Sequence, residues 1–198
     1  MSDAFISCAL HEVRRGLAFA MLRAGLNRQP ETLTQTAARR LRARLKELSI
    51  ILRRLIVLIA LGLTLAPLKP RGPAKPDGAG EPVLTKSQPP YSCALSGQMQ
   101  VYALDGPEAE RTATTASGPV PVFVLMRRID ALGRILRNPD RYARRVARIL
   151  ERRRKTGEPR PVCLPMEGAH RLHAELGIVS AGLPNLLADA FDRWNNSS

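Results

Sequence analysis

A basic helical segment that runs without a break into an uncharged apolar one has few stable places to go. Arg39, Arg40, Arg42, Arg44, Lys46, Arg53 and Arg54 face a single acid, Glu47, and Leu55 to Leu68 carry no charge at all. Leu41, Leu45, Leu48, Leu52, Leu55 and Ile59 recur at alternating spacings of four and three, the heptad spacing that lays one helix against a neighbour. By Leu55 the segment is apolar all round, which requires burial in protein or in lipid. Cations abutting an apolar helix are also what an anionic membrane attracts and what positive-inside anchoring uses.

Length decides how far the membrane reading reaches. The 14 residues of Leu55–Leu68 span about 21 Å as a helix, short of a hydrocarbon core of about 30 Å. Extending the segment back to Leu48 restores about 31 Å but draws Arg53 and Arg54 into the membrane edge, where they must snorkel. The sequence favours an anchor helix over 50–66, stopped by Pro67. An interfacial helix and a buried core helix are its alternatives. A cleaved secretory signal fits poorly, because a signal's basic region is short and more than fifty residues precede the run.

The net charge of +14 calls for an anionic partner or surface. Charge is concentrated at the two ends: residues 91–121 hold one Lys+Arg against three Asp+Glu, while residues 122–198 hold 15 against 8. Lysine occurs only at 46, 69, 75, 86 and 155, and the arginine excess reads as GC-rich bacterial coding bias. Three cysteines, Cys8, Cys93 and Cys163, form no CxxC pair and no disulfide framework, and Cys8 is expected to pack as a small hydrophobe.

The element pattern is mainly α. Residues 4–26 read as an amphipathic helix, with Phe5, Ala9, Leu10, Val13, Leu17, Ala20, Met21 and Ala24 at helical spacing. Asn27 to Pro30 breaks it, and Thr32 or Thr34 caps the next helix, so that the two form a hairpin. Residues 67–92, dense in Pro and Gly, read as a disordered linker. Residues 93–126 read as irregular with short strands, Pro119 to Met126 being an edge strand or docking segment.

Residues 127–198 read as a basic, α-rich C-terminal region. Ile129, Leu132, Ile135 and Leu136 share one face, and Asn138 with Pro139 begins a further helix that Gly157 ends. A short helix around Ala169–Leu176 and a last piece over Leu186–Trp194 complete the pattern. In the helix after Pro139, Arg144, Arg145, Arg148 and Arg152 all fall within about 60° of Arg141, while Tyr142, Val146, Ile149 and Leu150 occupy an arc centred roughly opposite the stripe's edge.

These features define the functional expectations. The candidate anionic-surface residues are Arg39, Arg40, Arg42, Arg44, Arg53 and Arg54 in the first basic block, with Arg141, Arg144, Arg145, Arg148 and Arg152 in the second. No catalytic residue, cofactor site or metal site is expected, and no small-molecule substrate is identified. Cys163, Glu167, His170 and His173 match no standard zinc spacing. A helix-turn-helix is disfavoured because Arg137-Asn138-Pro139-Asp140 has no glycine, and a stripe of arginine alone reads phosphate better than bases. The favoured reading is a small non-catalytic interaction or scaffold protein at the bacterial cytoplasmic membrane, N-terminus inside, with an anionic membrane surface and a protein as its partners. The alternative is a soluble, cytoplasmic protein that grips nucleic-acid phosphates through both basic helices.

Overall fold

The computed structural model describes residues 3–64, 118–159, 161–166 and 172–196. Among them the chain is mainly helical: α1 (Asp3–Arg23), α2 (Gln35–Leu61), α3 (Val122–Arg137), α4 (Pro139–Lys155) and α5 (Ala174–Asn196). Two-residue strands β1 (Thr32–Leu33) and β2 (Val120–Pro121) pair antiparallel, with Thr32 opposite Pro121 and Leu33 opposite Val120. The expected linker over 67–92 and the segment 93–117 lie outside the described residues.

Helix α1 ends in a tight turn, a single 3₁₀ turn over Leu26–Arg28 leading to Gln29 at φ 50°. The chain then reverses into α2. Thr34 opens that helix from an extended backbone (φ −61°, ψ 149°), and its hydroxyl accepts the Ala37 N–H at 3.3 Å. Replacing Thr34 with alanine should lower stability by about 1 kcal/mol in chemical unfolding, because one orphan donor of the first turn loses its acceptor.

Helix α2 is the centre of the molecule. Its heptad positions Leu41, Leu45, Leu48, Leu52 and Leu55 are buried, and so are Ile51, Ile56, Val57, Leu58 and Ala60 in its apolar half. One hydrophobic core holds these together with Val13 and Leu17 of α1, Leu125 and Leu132 of α3, Val146 and Leu150 of α4, and Leu183 and Phe191 of α5. The anchor expected over 50–66 is not supported: over 50–64, its described part, the structure packs this run against the protein's own helices, and no helix among the described residues is long and apolar enough to cross a membrane. The helix also stops before Pro67, at Leu61, where Gly62 caps it through an N–H bond to the Ile59 carbonyl at 3.0 Å. Glycine's weak helix propensity suffices to end it there.

The pair β1–β2 fixes where the second half of the chain enters. The Val122 N–H donates to the Glu31 carbonyl at 3.1 Å, so α3 starts at the α1–α2 turn. At its other end the Arg14 guanidinium donates to the Leu136 carbonyl at 2.6 Å, placing that end beside the middle of α1. The strand expected over Pro119–Met126 is correspondingly short, because helix begins at Val122, whose side chain with Leu125 and Ile129 supplies a helical face to the core. Asn138 breaks the chain between α3 and α4, yet its side chain caps nothing, and the helix relies on Pro139 at its first turn. Gly157 ends α4 at φ 69° in a Schellman arrangement: its N–H meets the Arg154 carbonyl, and the Glu158 N–H meets that of Arg153.

The end of the expected Ala169–Leu176 piece and the piece over Leu186–Trp194 belong to one helix, α5, which begins at Ala174; residues 169–171 lie outside the described ones. Pro184 sits inside α5 without ending it. A proline there removes the N–H that Ser180's carbonyl would accept and costs about 3 kcal/mol. Burial of Leu176, Val179, Leu183, Leu187, Ala190 and Phe191 along one face outweighs that cost. The Ser180 hydroxyl is buried on the same face with no hydrogen-bond partner among the described residues. Cys8, expected in the core, is exposed.

Candidate functional site

Helix α4 carries the densest charge. Ala143, Val146, Ala147 and Leu150 are buried at spacings of three and four, and the small alanines let the helix lie close on α2. The opposite face is set by the same periodicity. Arg141, Arg144, Arg145, Arg148 and Arg152 are all exposed, and none of their side chains makes a hydrogen bond or ion pair among the described residues. The stripe is about 16 Å long at the helical rise.

The acids of α4 are engaged elsewhere. Glu151 holds Arg154 at 3.1 Å and Lys155 at 3.7 Å, while Glu158 holds Arg153 at 3.3 Å. Arg154 also stacks on Trp194, 4.7 Å from the ring centroid, and donates to the Trp194 carbonyl at 3.3 Å, tying α4 to the end of α5. Thus the basic end of α4 divides into a structural edge that is neutralised and a stripe that is not. Asp140, in the first turn, sits where a carboxylate favours the helix dipole.

The first basic block divides in the same way. Arg39, Arg40 and Arg42 are exposed on the opening turns of α2. Arg44 is half-buried and paired with Glu47 at 2.9 Å. Arg53 is half-buried, its Nε enclosed with no hydrogen-bond partner among the described residues. Arg54 is 2% exposed and donates to the Leu164 carbonyl at 2.6 Å. Arg54 is therefore enclosed, and Arg44 and Arg53, on opposite sides of α2, are partly covered by the neighbouring helices.

Two of the four residues in the metal-like cluster, Glu167 and His170, lie outside the described residues. Cys163 is half-buried, and His173 meets the Glu175 carboxylate at 3.4 Å and the Phe19 ring edge-on at 5.8 Å. Among the described residues no three His, Cys, Asp or Glu side chains group as metal ligands. A hydrogen bond from its own backbone N–H, then one from His173, holds the Glu175 carboxyl below its ordinary 4.5. A carboxylate of lowered pKa stabilises the fold above its unfolded value and loses that contribution as the pH falls through the folded one.

The exposed apolar side chains were not legible as a set. Phe19 and Leu22 near the end of α1, and Phe123 and Val124 at the start of α3, are exposed, Leu22 at 59% and Phe123 at 63%. Leu22 falls outside the three-and-four spacing of α1, which was the available signal. Phe123 carried none, because its segment read as a strand. Compared with known proteins, the chain matches no family profile, no curated protein and no solved structure.

Proposed function

We propose that this is a non-catalytic interaction protein that binds an anionic membrane surface peripherally, through the arginine stripe of α4. The observation that carries the reading is the stripe itself: five exposed arginines along one face of α4, none of them in a hydrogen bond or ion pair among the described residues. Each cation near an anionic bilayer contributes about 1 kcal/mol, and the contributions fall away within a Debye length. The burial of the apolar half of α2 supports attachment at the surface over insertion of a spanning helix.

The test is vesicle sedimentation with the full chain. Binding is expected to vesicles containing phosphatidylglycerol and not to purely zwitterionic ones. Replacing Arg141, Arg145, Arg148 and Arg152 with glutamate should weaken it by about three orders of magnitude. The circular dichroism should stay unchanged, because all four side chains face solvent. Unfolding of that variant would make the stripe structural. Retention of duplex DNA or RNA without retention of anionic vesicles would replace this reading with phosphate binding on nucleic acid, whose affinity falls with log salt in proportion to the phosphates contacted.

A further inference from the structure

We infer that the end of the bundle formed by the α1–α2 turn and the start of α3 inserts apolar side chains into an anionic bilayer, an inference that rests on the membrane reading above. Leu22 is one residue from the end of α1 and Phe123 is the second residue of α3, so both lie within one helical turn of the same end. That they share this end follows from the Val122–Glu31 hydrogen bond and the pairing of β1 with β2. Neither side chain has helical periodicity that would send it to the core, and both are more than half exposed. Phe19 and Val124, one position or one turn further along, extend the apolar surface.

Charge says what covers this end. Segments 19–42 and 118–128 hold seven arginines and one acid, Glu31. Arg23 lies over the Phe19 ring at 6.0 Å, and Arg28, Arg39 and Arg40 are exposed on the turn and the first turns of α2. Apolar side chains at the tip with cations around them complement the acyl boundary and the phosphate layer of an anionic leaflet in that order. A second copy of the chain would bring the same cations together and is opposed by their repulsion. Nucleic acid would take the cations but offers nothing apolar to Leu22.

The deciding experiment floats the full chain with phosphatidylglycerol-containing vesicles at low and at high salt, beside a Leu22→Ser/Phe123→Ser variant. The variant should fold normally and bind at low salt, but its high-salt partitioning should fall by about 30- to 100-fold relative to the parent. In a Trp194→Phe background, Leu22→Trp should be quenched by brominated lipid, which reports depth directly. If both proteins leave the vesicles equally at high salt and the introduced tryptophan is not quenched, insertion is overturned while the stripe reading stands. If neither protein binds vesicles at low salt, the membrane reading itself fails and insertion fails with it. If the substitutions instead abolish self-association in sedimentation, the occupant is a second copy and the inference is wrong.

Discussion

Arg54→Glu should leave the protein unfolded at room temperature. Arg54 is 2% exposed and its guanidinium reaches the Leu164 carbonyl at 2.6 Å, so glutamate would place an anion in the same enclosed site facing an oxygen. A buried charge without a counter-group costs at least several kcal/mol. Native domains have only about 5–15 kcal/mol to lose. Arg54→Met, which keeps the length and removes the charge, should fold. It gives up the hydrogen bond to the Leu164 carbonyl, worth about 1–3 kcal/mol, and is relieved of burying a cation. Thermal unfolding of the two variants separates charge from volume: if Arg54→Glu melts like the parent, the arginine is not enclosed as described.

The second large effect concerns the crossing of α1, α2 and α5. A Cβ on Gly16 would stand 2.8 Å from a methyl of Leu176 and 3.1 Å from a methyl of Leu48, and both leucines are almost fully buried. Gly16→Leu should therefore destabilise by about 1–3 kcal/mol or more through overpacking, despite the better helix propensity of leucine. Leu48→Ala should cost about 2–5 kcal/mol through the cavity it opens. Combined, the two should cost clearly less than the sum, because the added side chain partly fills the space vacated. Strict additivity in urea unfolding would mean that the three helices do not meet at this point.

What could be read in advance was whatever a single helix writes along its own length. The heptad of α2, the buried face of α1, the Ile129–Leu136 face of α3, Thr34 as a cap and the stripe of α4 are all one-dimensional patterns, and their residues occupy the expected faces. Pairing between distant segments leaves no such trace. The run after Leu55 favoured a lipid-facing reading over a protein-facing one, although both demand an apolar helix on all sides, and its packing against α4 and α5 involves residues far along the chain. The continuity of α5 through Pro184 was hidden for the same reason: the local cost of proline is visible, but the core that outweighs it is built with residues far away in sequence. Of the candidate site, the exposed arginines of α4 were legible as periodicity. Arg54 was not, because its burial depends on a carbonyl 110 residues later.

Placing the most apolar stretch in the central helix has a consequence during synthesis. Leu61 is made before α3, α4 and α5, and α5, which completes the enclosure of α2, ends at Asn196. At usual translation speeds the roughly 135 residues between them take about 7–27 s. Until α3 and α4 follow, the emerging chain displays a greasy segment preceded by arginines, with α1 the helix already at hand to shield it. The nascent segment thus offers chaperones an apolar surface that the folded bundle covers, and the arrival of α5 completes that cover.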